Sequence, residues 1–316
     1  MRKIVKFSES YIQQARELVL ADYDEERAAV AALPAFDEIP DEAFEGFVEN
    51  GLGVVMLDGD GKMLGFLCCD DPWGNAFGSA AMGTFVPAYG HGAVAENRGA
   101  IYKRLYQAAA KVWVGAGIAY HAVGLWAHDA QVTDAFFTYG FGLRCIDAVR
   151  PLVNFDHQTP ESVTFGELAK GEESKVREMR RALSDHLGES PCFVGSPADF
   201  ENWIVRAETR DSQLFVALQD AEPIAFIEVT EDGESFASGH DSMRNICGAF
   251  CMPEHRGKGV MQGLLNYVIT QMRANGFDAL GVDFESYNPE SSGFWLKYFQ
   301  AYGYTVFRRI DECAFG

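Results

Sequence analysis

The sequence has 316 residues, 48% of them hydrophobic and 23% charged, a composition typical of globular proteins that excludes fibrous and disordered classes. Because a single core rarely grows beyond about 250 residues, this length predicts two domains. The net charge of −20 excludes a nucleic-acid partner, since phosphate binding needs a basic surface. It favours a cationic substrate only weakly, because acidity also serves solubility.

The sequence gives no sign of a membrane or of a metal. Its apolar runs are shorter than the roughly 18 residues that a membrane span requires, and no apolar segment follows the charged start. We therefore expect a cytoplasmic protein with no membrane partner. The seven cysteines lack CxxC spacing, so we interpret them as buried thiols and expect neither disulfides nor a metal site.

Hydrophobic patterning predicts alternating helices and strands in the first half. The turn Asp58-Gly59-Asp60-Gly61 is typical of a hairpin. In chain order we predict a strand at 2–7, a helix from Ser8 to about Leu20, a helix at 41–49, strands at 52–57 and 62–69, a strand at 83–87, a helix at 101–114 and a strand at 119–126.

The second half repeats this order of elements. We predict a strand at 162–165, a helix at 172–187, strands at 213–218, 223–230 and 245–252, a helix at 260–274, a strand at 279–284, a helix at 291–301 and a strand at 304–310. The helix at 260–274 places its apolar residues on one face and is followed by Gly276, a typical helix end.

The chain is therefore predicted to form two α/β domains, 1–155 and 156–316, with a linker at 151–160. Gly90-His91-Gly92 in the first half has a counterpart in Gly257-Lys258-Gly259 in the second, which supports a duplication. Two unrelated α/β domains with the same order of elements remain the alternative.

The segment Pro253-Glu254-His255-Arg256-Gly257-Lys258-Gly259-Val260 lies between a predicted strand and the long helix. The first N–H groups of a helix have no partner within it, and the helix dipole is positive there, so this position attracts anions. Gly257 and Gly259 let the backbone approach a phosphate, while Arg256 and Lys258 add positive charge. The segment predicts a phosphate-binding loop.

Other phosphate-binding motifs fit less well. A P-loop needs a Ser or Thr directly after the lysine, but Gly259 follows Lys258. A Rossmann fingerprint would need its third glycine one residue before Gly263. A purely structural use of the glycines in a tight turn remains open.

Residues 250–260 resemble the acetyl-CoA signature Q/R-x-x-G-x-G/A of the GNAT acetyltransferases, with Glu254 in place of the first Gln or Arg. The segments 281–289, 294–299 and 308–311 are similar to a bacterial branch with two GNAT domains in tandem. The resemblance implies an α/β (α+β) fold of two tandem GNAT-like domains, each a mixed, mostly antiparallel sheet flanked by helices. It also implies acetyl-CoA as co-substrate.

The resemblance further implies roles for individual residues. Backbone amides from Arg256 to Met261 would hold the diphosphate of coenzyme A, and an amide at Cys251 or Met252 would polarise the thioester carbonyl. The Cys251 sulfur is not expected to act as a nucleophile. The residues implied to bind the cofactor are Phe250, Cys251, Met252, Arg256, Gly257, Lys258, Gly259, Val260, Met261 and Asn288.

Glu285, at the end of a predicted strand, is the leading candidate for the general base, and Asp283 lies on the same strand face. Glu228 and His240 are alternatives, and each of these groups is equally consistent with a solvated surface charge.

The family usually has a tyrosine acid seven residues after the position of Asn288, but Trp295 stands there. Tyr298, one helical turn farther on, is the expected substitute, followed by Tyr302. Core packing explains this aromatic stripe equally well.

The first half has no arginine before Gly90 and carries Glu96 where a phosphate would be repelled, so we expect a degenerate domain that binds cofactor weakly or not at all. The predicted function is an N-acetyltransferase for a primary amine of a small molecule or peptide. The alternative is a non-catalytic module that senses acetyl-CoA or binds another protein. The sequence leaves the oligomeric state open.

Overall fold

A computed structural model describes residues 2–36, 39–195, 200–233 and 235–315. The chain divides into two compact units, one formed by Met1–Asp147 with Ala301–Gly316 and the other by Ala148–Gln300. Both are mixed α/β units, so the predicted fold class is confirmed. The division at residue 155 stays a prediction, and the two units differ from it by assigning Ala301–Gly316 to the first unit.

The first unit builds its core around one long helix, whose buried side chains include Ile101, Leu105 and Trp113. The elements are β1 (Lys3–Lys6), α1 (Ile12–Ala29), α2 (Glu42–Asn50), β2 (Val54–Leu57), β3 (Met63–Leu67), β4 (Gly83–Val86), β5 (His91–Ala93), α3 (Arg98–Gly115, the core helix), β6 (Tyr120–Trp126), α4 (Ala130–Thr138) and β7 (Gly142–Pro151), which runs on into the second unit. A four-stranded antiparallel sheet has the order β1-β2-β3-β5, while β4 and β6 pair in parallel.

The elements of the second unit are β8 (Val163–Glu167), α5 (Arg177–Gly188), α6 (Phe200–Thr209), β9 (Ser212–Gln219), β10 (Glu222–Thr230), β11 (Met243–Cys251), α7 (Val260–Ala274), β12 (Ala279–Glu285) and α8 (Pro289–Tyr298). Its strands form a sheet of order β12-β11-β10-β9-β8, antiparallel from β8 to β11. Helix α7 packs against β9 and β10 and buries Leu264, Leu265 and Val268 completely, as its amphipathic pattern predicts.

The last strand of the chain, β13 (Gln300–Arg309), completes the first unit. It pairs antiparallel with β6 from Gly303↔Trp126 to Arg309↔Tyr120. Val306, in the middle of β13, is fully buried in the core of the first unit. The sequence pattern predicts this strand but carries no information on which unit it joins, because pairing partners are chosen by tertiary contacts.

Residues 152–159, predicted as a linker, are fixed along α7. Asn266 of this helix donates from Nδ2 to the Phe155 carbonyl oxygen at 2.6 Å and accepts from the Phe155 N–H at 3.1 Å. Nearer the start of the helix, Thr159 Oγ1 donates to the Gly259 carbonyl oxygen at 3.2 Å. Side chains of α7 thus satisfy backbone groups of this segment, and its role as a linker between domains stays a prediction.

Within the described ranges, every helix is too short or too polar to span a lipid bilayer.

Candidate functional site

A cavity of about 500 Å³ lies in the second unit, where α5, the end of β11, the start of α7 and the start of α8 converge. Seven of the residues that the sequence predicts for the site line it: Phe250, Cys251, Arg256, Gly257, Val260, Met261 and Asn288. Among the described residues that line this cavity, Met252, Lys258, Gly259, Glu285 and Tyr298 do not occur.

The predicted phosphate loop forms a tight helix entrance. Residues Pro253–His255 make a single 3-10 turn, in which the Arg256 N–H donates to the Pro253 carbonyl oxygen at 3.2 Å. Gly257 and Gly259 then have left-handed φ angles of 71° and 84°, and α7 begins at Val260. Only glycine adopts such angles without strain, so the sequence Gly-Lys-Gly fits the turn. The first N–H groups of α7 have no partner within the helix and are available to an anion.

A gap in the sheet opens beside this helix entrance. Strands β11 and β12 pair in parallel from Met243↔Ala279 to Ile246↔Val282, and among the described residues the pairing ends there. Beyond that point β11 continues to Cys251 and β12 to Glu285. The ends of the two strands therefore leave backbone groups on the β12 side of β11 for another partner.

The pairing of β10 with β11 decides which N–H groups face the gap. The Met252 N–H donates to the Ile224 carbonyl oxygen at 3.0 Å, so this amide already has a partner. Because backbone groups alternate in direction along a strand, the N–H of Cys251 points away from β10, toward the gap. Burial raises the pKa of the Cys251 thiol to about 11, so at neutral pH the residue offers its amide and a protonated sulfur.

Asn288 stands at the start of α8 and lines the cavity. Its Oδ1 accepts from the N–H groups of Glu290 at 3.2 Å and Ser291 at 3.4 Å, which is a typical helix N-cap. Trp295, at the position of the family's tyrosine, is buried and also lines the cavity.

The two candidate acids lie elsewhere. Tyr298 stacks on the Phe155 ring at a centroid distance of 4.4 Å. Tyr302 belongs to the first unit, where its carbonyl oxygen accepts from the Ala127 N–H at 2.9 Å. Neither placement tests a proton transfer, and the role of Tyr298 stays a prediction.

Glu285 ends β12, and its backbone carbonyl accepts from the Asn288 N–H at 3.0 Å. The Cys192 thiol has a raised pKa because it is buried and because the carboxylates of Glu285 and Glu290 lie nearby. Glu285 therefore lies in the same neighbourhood as Glu290, which does line the cavity. Its role as base stays a prediction.

The alternative base Glu228 is already engaged. It is buried, contacts the Arg180 guanidinium at 2.8 Å and accepts from Ser212 Oγ at 2.7 Å. Both carboxylate oxygens of Glu228 therefore already have partners within the second unit. His240 pairs through Nδ1 with the Ser242 hydroxyl at 2.9 Å.

Several residues that line the cavity carry no signal in the sequence. They are Leu183 and His186 on α5, and Glu290 and Lys297 on α8. His186 and Glu290 meet at 3.2 Å although they are far apart in the chain. The only hint is the position of Glu290 in the first turn of a helix, where acidic residues are favoured.

The first unit contains a helix entrance of a different kind. Helix α3 begins at Arg98, whose guanidinium contacts the carboxylates of Asp22, Glu25 and Asp129 at 2.7–2.9 Å. Burial raises the pKa of Asp22 to about 7, although Arg98 lowers it. Positive charge at this entrance is thus neutralised by side chains of the unit itself.

The sequence predicts that Gly90-His91-Gly92 is the counterpart of the phosphate loop in the first half, and this prediction is wrong. His91 belongs to β5, is buried, and bonds to the Tyr102 hydroxyl and the Gly124 carbonyl oxygen, both at 2.6 Å. The residues that precede α3 are instead Glu96-Asn97, followed by Arg98-Gly99. The residue order is similar to Glu254-His255-Arg256-Gly257, but α3 begins at its arginine whereas α7 begins four residues after Arg256.

Comparison with known proteins agrees with this geometry. Residues 179–299 match the model of the Acetyltransferase (GNAT) family. The fold is similar to that of a GCN5-related N-acetyltransferase from Sphaerobacter thermophilus, with 13% identity, a TM-score of 0.60, and coverage of 98% of this chain and 95% of that one. A comparison with curated proteins finds no match.

A second similar structure is a GCN5-related glucosamine N-acetyltransferase region of a fungal multi-domain GH3 β-N-acetylglucosaminidase. It has 14% identity and a TM-score of 0.53, and the match covers 97% of this chain but only 38% of the fungal one. The match to the GNAT acetyltransferase family thus covers residues 179–299, within the second unit, and the fold of the chain is similar to that of GCN5-related N-acetyltransferases.

Proposed function

We propose that the second unit is an acetyl-CoA-dependent N-acetyltransferase that transfers the acetyl group directly to a primary amine of a small molecule or peptide. The observation that supports this most is the position of the gap between β11 and β12, directly beside the glycine-rich entrance of α7. The free N–H groups at the start of α7 suit a diphosphate, and the Cys251 N–H, which faces the gap, suits a carbonyl oxygen.

The residues present fit coenzyme A. The N–H groups from Gly257 to Gln262 and the exposed Lys258 side chain would hold its diphosphate. The Cys251 N–H would donate to the thioester carbonyl oxygen and stabilise the negative charge that grows on it as the amine attacks. The apolar part of coenzyme A would pack against Phe250, Val260 and Met261. Asn288 holds the start of α8 beside this cavity.

The acetyl carbonyl carbon is the electrophile. The protein must remove one proton from the amine and return one proton to the sulfur that leaves. Glu285 is proposed to accept the proton of the amine, because it ends β12 at the open side of the sheet. Tyr298 is proposed to return a proton to the sulfur. A thiol with a pKa near 8.5 is already a tolerable leaving group, so loss of this acid slows the reaction without abolishing it.

A direct assay tests the proposal. The purified chain is mixed with acetyl-CoA and each member of a panel of amines, namely spermidine, an aminoglycoside, a lysine peptide and glucosamine, the last because of the fungal relative. Free thiol is measured with a dye, and the acetylated amine is identified by mass spectrometry. Turnover of one amine supports the proposal; binding of acetyl-CoA without turnover of a broad panel contradicts it.

The loop is tested by Lys258→Glu, which places a negative charge beside the expected diphosphate. We expect the affinity for acetyl-CoA to fall at least about tenfold, since a charge-assisted hydrogen bond contributes 1.5–3 kcal/mol. Lys170→Glu is the control, because Lys170 is an exposed lysine of the same unit that pairs with Asp211. Unchanged affinity of the Lys258 variant would show that the loop is misassigned.

A second function, a module that binds acetyl-CoA without catalysis, is favoured by one observation. Trp295 stands at the position of the family's tyrosine acid, and Tyr298 stacks on Phe155 without lining the cavity. This function predicts calorimetric binding of coenzyme A with no release of thiol for any amine.

A further inference from the structure

The Arg256 side chain is held at three points. Its Nε donates to the Cys251 carbonyl oxygen at 2.9 Å, and one terminal nitrogen contacts Glu290 Oε2 at 3.0 Å. The guanidinium also lies over the Phe250 ring, with 5.1 Å between its central carbon and the ring centroid. Two of these contacts are with the end of β11, the strand whose Cys251 N–H faces the gap.

Glu290 connects this guanidinium to a second element. Its Oε2 lies 3.2 Å from His186 Nε2 on α5, so a single carboxylate oxygen bridges His186 and Arg256. The bridge thereby links α5, α8 and the end of β11 around one cavity. Glu290 is 55% exposed, and ion pairs of this kind add at most about 1 kcal/mol to stability, so stability alone gives little reason for it.

We propose that Arg256 is a positioning residue and not a ligand of the diphosphate. Glu290, which also contacts His186, holds the Arg256 guanidinium, and the guanidinium in turn fixes the end of β11. The Cys251 N–H is thereby placed to meet the thioester carbonyl. Lys258 supplies the side-chain charge for the diphosphate. The proposal rests on the proposed function and assigns different roles to Arg256 and Lys258, the two cationic residues of the loop.

A truncated donor separates the two roles. S-acetylpantetheine carries the same thioester as acetyl-CoA but lacks the diphosphate and the adenosine. A residue that positions the strand end affects both donors alike, whereas a diphosphate ligand affects only acetyl-CoA.

We expect Arg256→Gln and Glu290→Gln each to lower kcat about tenfold with both donors, since small misplacements of a catalytic group cost up to about 100-fold. Their KM for acetyl-CoA stays within about threefold of the wild-type value. Lys258→Gln instead raises KM for acetyl-CoA and has a smaller effect with the truncated donor. An Arg256→Gln defect that disappears with S-acetylpantetheine would overturn the proposal.

Hydrogen exchange gives a readout that does not depend on acetyl transfer. A peptide covering 247–253 should exchange faster in Arg256→Gln and in Glu290→Gln, but not in Glu254→Gln, an exposed carboxylate of the same loop. If the wild-type chain transfers no acetyl group, the proposed function fails, and the exchange data still decide whether Arg256 fixes the strand. Unchanged exchange in both variants would refute this role.

Discussion

Gly259 is restricted in two independent ways. Its φ of 84° is left-handed, and a Cβ at this position would overlap the Gln158 carbonyl oxygen of the 152–159 segment. The glycine thus serves both the turn at the helix entrance and the close approach of another stretch of backbone. Sequence reasoning explains the first need, but only the structure reveals the second.

Gly259→Ala should therefore destabilise the protein more than a left-handed φ alone requires. The matched control is Gly276→Ala, with a φ of 89° and no neighbouring atom within 4 Å of the new Cβ. We expect about 1–2 kcal/mol for the control, the usual cost of a left-handed alanine, and at least about 2 kcal/mol more for Gly259→Ala. Urea unfolding measures both, and equal losses would mean that the packing of Gln158 is unimportant.

At the level of residues, the sequence predicts the part of the site that is contiguous in the chain. The glycine-rich loop can be recognised from the sequence, because Gly257 and Gly259 alternate with cationic residues before an amphipathic helix. His186 and Glu290 are invisible to this reasoning, since nothing local to either residue encodes their contact. The choice between the amides of Cys251 and Met252 likewise depends on strand pairing.

At the level of elements, α7 is stabilised by contacts with the 152–159 segment as well as by burial of its own apolar face. Asn266, which is 6% exposed, bonds to Phe155 in both directions and lies 2.7 Å from His157 Nδ1. These contacts order the 152–159 segment along the helix. A buried amide that satisfies several backbone groups is costly to remove.

Asn266→Ala should release this segment. We expect a loss of about 2–3 kcal/mol, because the backbone groups of Phe155 lose their partner, and faster cleavage within 152–159 in limited proteolysis. Asn275→Ala, at the exposed end of the same helix, should change stability by no more than about 0.5 kcal/mol. If the Asn266→Ala variant is cleaved within 152–159 at the same rate as the wild-type protein, this account is contradicted.

The elements were predictable where their hydrophobic periodicity is regular. Helix α7 has the bounds 260–274 that its pattern predicts, because its apolar face is regular and a glycine follows. The sequence pattern does not predict α4, α6, β5 and β7. Strand β5 has only three residues and lies in a glycine-rich stretch, where neither the helical nor the strand period stands out.

At the level of the whole molecule, the first unit depends on the far end of the chain. Strand β13 covers one edge of β6, whose seven residues are all buried, and it contributes Val306 to the core. An uncovered apolar edge strand is open to pairing with other chains.

Deletion of residues 301–316 should therefore weaken the first unit. We expect amides of β6 to exchange at least about 100-fold faster and the protein to aggregate, while β10 in the second unit keeps its protection. Deletion of 311–316 alone retains the pairing of β13 with β6 and should leave exchange unchanged. Equal loss of protection in β6 and β10 would contradict the assignment of β13 to the first unit.

This arrangement has a consequence for biosynthesis. Domains generally fold as units while the nascent polypeptide leaves the ribosome, the amino-terminal one first. Here the first unit must wait until residues 301–309 have been translated, because its strand β13 follows the second unit in the chain. During that interval one side of β6 has no partner, so the second unit is the first that translation can finish.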